Sequence, residues 1–183
     1  KDANGCIQTG PAAIPLINTV TIDAGPDAAI CEGTGLRLNA SSNASTFSWT
    51  PATTLSNNTI LNPQATPAVT TKYFVTATTG ICNSTDSVII EVWPAPVADA
   101  GADISDCFGK IIQLNGTGGV SYQWTPATYF TGPSNVANPS LKATASTSYY
   151  LSVTDARGCR SLRDDEVRVN VTPAVRMDAG RDT

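Results

Sequence analysis

The sequence predicts an all-β protein made of tandem sandwich modules, and three observations carry that prediction. The phrase "DAGPDAAIC" (23–31) returns as "DAGADISDC" (99–107) and opens again as "DAGRDT" (178–183), which sets Asp23, Asp99 and Asp178 at nearly equal intervals. The text between repeats in the same phase: "FSWTPATTLSNNTILNP" (47–63) answers "YQWTPATYFTGPSNVANP" (122–139), and "TTKYFVTATTGIC" (70–82) answers "STSYYLSVTDARGC" (146–159). Such self-similarity marks a structural unit stacked in series. Third, apolar residues alternate with polar ones over short runs, and stretches rich in the helix formers Leu, Glu, Lys and Met are almost absent.

Taken in order, "LRLNA" (36–40) puts Leu36, Leu38 and Ala40 on one face, and "TFSWT" (46–50) does the same for Phe47 and Trp49. "KYFVTAT" (72–78) sets Tyr73, Val75 and Ala77 against Phe74 and Thr76. "DSVIIEVW" (86–93) turns Val88, Ile90 and Val92 inward and Glu91 outward. The second copy answers with "IIQLNG", "YQW", "YYLSVT" and "EVRVNVT", where Val167, Val169 and Val171 oppose Arg168 and Asn170. One wet and one dry face per strand is the pattern of antiparallel sheets packed as a sandwich. About six or seven short strands separated by turns fit an immunoglobulin-like module. Trp49 and Trp124, each followed by an identical "TPAT", read as core fillers, the alternative being exposed aromatics that stack a sugar. The proline after each ends its strand and holds Thr50 and Thr125 extended. The crossings 51–69 and 126–145 are long and rich in Asn, Thr, Pro and Ser, with room for one or two edge strands. Within them Ile60 and Val136 are expected to dip into the core. Boundaries follow: 1–20 is the C-terminal remnant of a preceding module, 21–94 is module 1, 97–172 is module 2, and 173–183 begins a third. The linkers "WPAPVA" (93–98) and "TPAVRM" (172–177) are short and proline-bearing, which predicts end-to-end modules with little mutual contact and Trp93 wedged at the first joint.

A module of about 75 residues is marginal on its own core, so a staple is expected. The spacing from Cys31 to Cys82 matches the spacing from Cys107 to Cys159 to within one position. That agreement favours one disulfide per module, Cys31–Cys82 and Cys107–Cys159, and an oxidising compartment; the alternative is four buried free thiols. Cys6 in "DANGC" matches Cys159 in "DARGC", which makes it the second cysteine of an earlier module and leaves it unpaired.

The 183 residues carry a net charge of −4 and no histidine. Arg157, Arg160, Arg163 and Arg168 are interleaved with Asp155, Asp164, Asp165 and Glu166, so no basic face offers itself to nucleic acid. No apolar run reaches the length of a membrane span. There is no CxxC pair, no Gly-x-Ser-x-Gly elbow and no phosphate loop, so the sequence predicts a chain without catalysis or a required cofactor. Calcium is the candidate metal, held by Asp23 with Asp27 and by Asp99 with Asp103, with Asp106 in reach. The competing reading makes these aspartates acceptors for backbone amides around the Ala-Gly turn. Tyr129 and Phe130 replace Thr54 and Leu55 of the first copy and form a candidate ligand surface. Asn-x-Ser/Thr triplets begin at Asn43, Asn57, Asn83, Asn115 and Asn170.

The acidic turn, cysteine pair, "WTPAT" and tyrosine strand arrive in that order twice. In this the chain resembles the immunoglobulin-like, PKD-like repeats of very large secreted proteins of the Bacteroidetes, among them gliding-motility adhesins of the SprB type. The resemblance covers both modules and the flanking part-modules. It implies export by the type IX route, display outside a Gram-negative cell, many tandem copies and no catalytic residue. Neighbouring modules, surface polysaccharide or other cell-surface proteins are the implied partners. It also implies that Ser87 in "DSV" (86–88) is an O-glycan acceptor, because that phylum modifies Asp-Ser/Thr-aliphatic triplets. The first copy departs from the "DxxGC" turn, with Thr78 in place of the aspartate. The expected function is an adhesion and spacer rod; the alternative is a carbohydrate-binding or accessory module of a secreted polysaccharide-degrading enzyme.

Overall fold

The computed structural model describes residues 19–174. Two β-sandwich units follow one another, each around its own core. The first holds β1 (Ile22–Asp23), β2 (Ala28–Cys31), β3 (Leu36–Arg37), β4 (Ser41–Ser42), β5 (Thr46–Thr50), β6 (Gln64–Ala65), β7 (Thr71–Thr79) and β8 (Cys82–Trp93). The second holds β9 (Ile104–Cys107), β10 (Ile111–Gln113), β11 (Ser121–Thr125), β12 (Ser140–Lys142), β13 (Thr147–Thr154) and β14 (Asp165–Thr172). The larger sheets have the same order, β2-β8-β7-β5 and β9-β14-β13-β11. Facing them are the pairs β3–β6 and β10–β12, with β1–β4 in the first unit answered by a single Asp99–Thr117 bridge in the second. Both units have the immunoglobulin-like architecture of two packed sheets.

Alternation places the core. Tyr73, Val75 and Ala77 on β7 and Val88 and Ile90 on β8 are buried beneath Trp49, and Tyr149, Leu151 and Val153 with Val167 and Val169 do the same beneath Trp124. Each tryptophan is fully buried, which removes enough apolar area to favour folding by ~5 kcal/mol before ordering entropy is counted. A buried indole N–H also needs an acceptor. Trp49 Nε1 donates to the Ile60 carbonyl at 3.0 Å and Trp124 Nε1 to the Val136 carbonyl at 3.1 Å. This corrects one expectation: Ile60 and Val136 do not enter the core but stay 43% and 39% exposed. The crossing turns its carbonyl inward to meet the indole, and that same orientation turns the side chain out.

Not every strand pairs antiparallel. β2 runs parallel to β8, with Cys31 opposite Trp93, and β9 runs parallel to β14, with Cys107 opposite Thr172. The first cysteine of each module is thereby carried to the pole where the chain leaves. The second lies at the other pole. Cys82 and Trp93 are the two ends of the 12-residue β8, which puts Cys31 and Cys82 about 36 Å apart at the usual strand rise. A disulfide tolerates no more than about 7 Å between Cα atoms. The expected pairings Cys31–Cys82 and Cys107–Cys159 therefore do not form.

Candidate functional site

The joint between the modules gathers the most chemistry. Cys31 bonds to Cys159 across it, with Cα atoms 5.4 Å apart. Cys31 is brought there by β2, and Cys159 by a tight turn after β13. In that turn Asp155 Oδ1 accepts the amides of Arg157 and Cys159 at 2.9 and 2.8 Å, and Gly158 takes φ = 88°. The "DxxGC" aspartate thus shapes the loop that presents the cysteine. In the first copy, which lacks it, Thr79 pairs directly with Cys82 across a tight hairpin. Cys82 is half-buried and Cys107 exposed, both as free thiols; Cys6 lies outside the described residues.

Further contacts close the joint. The Arg157 guanidinium stands 5.3 Å from the Trp93 ring centroid, a cation–π approach that contributes on the order of 1 kcal/mol when partly solvated. Glu32 donates its amide to the Trp93 carbonyl at 2.8 Å, and its side chain accepts the Ala95 amide at 3.1 Å, pinning the linker. Leu162 lies against Gly33, where an added Cβ would come within 2.7 Å of its Cδ2. A cleft of about 480 Å³ remains, lined by Glu32, Ala95–Ala98 and Leu162–Asp165. Trp93 sits at the joint as expected, but the expectation of little contact is corrected: a covalent bond, a stacked arginine and an apolar contact cross it. The Arg160–Asp164 and Arg168–Glu166 pairs, at 3.8 and 3.7 Å, are solvent-exposed and add little.

The recurring aspartates are spoken for by backbone amides. Asp23 accepts from Gly25 at 2.8 Å and Asp99 from Gly101 at 2.9 Å, each across a turn whose glycine has positive φ. Asp27 accepts from Ile89 at 2.7 Å and Asp103 from Arg168 at 2.8 Å, tying the turn to the last strand. Asp106 accepts from Cys107 at 2.7 Å. Among the described residues no three His, Cys, Asp or Glu side chains converge on a metal position. Calcium asks for about six to eight oxygens around one point, whereas the observed role of these carboxylates is to accept backbone amides around the turn. Two carboxylates that sequence reasoning passed over complete the device. Asp86 accepts the Ala24 amide and Asp165 the Ala100 amide, both at 2.8 Å. The Ala24 amide, with that of Ser87 and the charge of Lys72, holds the Asp86 carboxyl below its ordinary range against the opposing effect of burial. The signal was available, since Asp86 and Asp165 occupy corresponding places in the two copies, in phase with the repeat from Asp99 to Asp178.

Tyr129 and Phe130 part company. Phe130 turns inward, packs against the second core and meets Tyr149 at 5.1 Å between ring centroids, so it is no part of an exposed ligand surface. Tyr129 is 44% exposed and has φ = 68°. Phe130 also bridges Leu141 on β12, which holds it against the sheet while Tyr129 stays outside. Ser87 lies half-buried on β8 opposite Phe74.

The fold and joint define a class: a tandem pair of immunoglobulin-like sandwiches joined covalently. No family model and no curated protein matches the chain. Among solved structures, it is similar to the titin domains Z1Z2 crystallised in complex with telethonin, at 16% identity and TM-score 0.34, covering 85% of this chain and 98% of that one. It is also similar to extracellular domains 3–5 of Drosophila OTK, at 12% identity and TM-score 0.39, covering 84% of this chain and 62% of that one. The titin I-band fragment I67–I69 gives 12% identity and TM-score 0.38, covering 84% of this chain and 66% of that one. At such scores these likenesses carry nothing about function.

Proposed function

We propose that the chain is a non-catalytic rod segment of a large secreted surface protein, serving adhesion and spacing. The observation that carries the reading is the Cys31–Cys159 bond between modules. A bond across the joint fixes one module on the next and gives tension a covalent path from Cys31 to Cys159 that bypasses the linker. It belongs in an oxidising compartment. Asp27, Asp86, Asp103 and Asp165 each accept a backbone amide, which gives them a structural role in the turns. With the sequence resemblance, this supports a gliding-adhesin type of protein exported by the type IX route and displayed on a Gram-negative cell, with surface polysaccharide or other surface proteins as its partners. Antibodies raised against the two modules test this: they should label intact source cells, and labelling only after permeabilisation would refute it. The accessory-module alternative has one exposed aromatic in its favour, Tyr129. Saturable binding on a glycan array, lost in Tyr129→Ala, would favour it.

A further inference from the structure

The two exit poles share one backbone scaffold, with Thr172 and Phe108 of the second standing where the first has Trp93 and Glu32. Cys31 lies opposite Trp93, and Cys107 opposite Thr172. The next residue donates its amide to that partner's carbonyl in both, Glu32 to Trp93 at 2.8 Å and Phe108 to Thr172 at 2.9 Å. The residue after that is glycine with positive φ in both, 79° at Gly33 and 84° at Gly109. The scaffold that delivers Cys31 to the next module is thus reproduced around Cys107, which is free and exposed. The sequence opens a further copy of the module phrase at Asp178, in phase with Asp23 and Asp99.

We infer that Cys107 is the exit-pole half of a second module-to-module disulfide, its partner being the cysteine of an Asp-x-x-Gly-Cys turn at the entrance pole of a following module of the same kind. The linkage would run from each module to the next, one bond per joint. It stands on the repeat and the poles and does not depend on the adhesive role. The partner is an entrance-pole cysteine because an exit-pole cysteine of the following module lies a full module length away, as Cys107 does from Cys31. The bond forms by exchange with a disulfide donor such as glutathione disulfide or an oxidised dithiol oxidoreductase. One thiolate attacks the donor and releases a first reduced thiol. The second thiolate then displaces the remaining half, so two electrons and two protons leave with the reduced donor.

The test grafts residues 99–172, with the copy's own exit-pole Cys107→Ser, after Met177, so that the copied Asp99 takes the place of Asp178, the phase of the repeat is kept and the original Cys107 is the sole source of its peptide. A second version inserts the first linker, 94–98, in place of 173–177. Both chains and the original are oxidised in a glutathione buffer, alkylated and mapped without reduction. The original should yield the Cys31–Cys159 peptide pair and an alkylated Cys107. The grafted chains should retain that pair, lose Cys107 alkylation, and gain a peptide joining Cys107 to the copied Cys159. Cys107 remaining alkylated in both grafted chains, or found bonded to any other cysteine, would overturn the inference.

Discussion

Removing the joint disulfide should destabilise both modules together, and the structure sets the size of the effect. Suppose module 2 unfolds while module 1 stays folded. Cys31 is then held beside Trp93 by the β2–β8 pairing, so the bond closes a loop from about residue 93 to Cys159. For ~66 residues the chain-entropy relation gives ~4 kcal/mol. The converse case, module 1 unfolding from a folded module 2, closes a loop of similar length. Engineered bonds often deliver less, so about 2–4 kcal/mol is the expected loss, which for domains of this size lowers the melting midpoint by about 10–30 °C. The assay is calorimetry of Cys31→Ser, Cys159→Ser and the double variant, with Cys82→Ser and Cys107→Ser as controls. The first two should shift equally, the double variant no further, and the controls should melt as the unmodified protein does. A Cys82→Ser shift as large as that of Cys31→Ser would refute the cross-joint pairing and restore a staple within the module.

The depressed Asp86 carboxyl fixes a pH response. Its folded pKa lies below the unfolded value, so its contribution is present above the ordinary carboxylate range and is lost as pH falls through the folded pKa. Asp86→Asn should therefore flatten the acid limb of module 1 stability in an acid titration followed by tryptophan fluorescence, and should lower stability near neutrality by about 1–2 kcal/mol. Trp124→Phe removes the donor to Val136 and part of the core volume; a loss of about 1–3 kcal/mol and faster proteolytic cutting within 126–139 are expected, and unchanged cutting would mean the indole does not anchor that crossing. Millimolar calcium should leave the melting midpoint where chelator leaves it, since the recurring aspartates already serve backbone amides; a rise with calcium would show that they also gather around a cation.

The sequence alone determined what depends on near neighbours. The period of two along β7 and β8 fixed which of Tyr73, Val75, Val88 and Ile90 would be inside, because a strand's faces alternate whatever it pairs with. Repetition in phase fixed the number of sandwiches, and the glycine turns fixed the geometry around Asp23 and Asp99. The destinations of Cys31, Cys159, Ile60 and Phe130 were not legible in this way. Ile60 turns out because its carbonyl is needed by an indole 11 residues away, and Phe130 turns in where it bridges Leu141 and meets the Tyr149 ring. Equal cysteine spacing was compatible with a bond inside each module and with a bond between modules. Only the parallel placement of β2 on β8 and of β9 on β14 decided between them. That choice rests on pairing between segments from opposite ends of each module, 28–31 with 90–93 and 104–107 with 169–172. It carries the two cysteines of one module to opposite poles, farther apart than any disulfide can span.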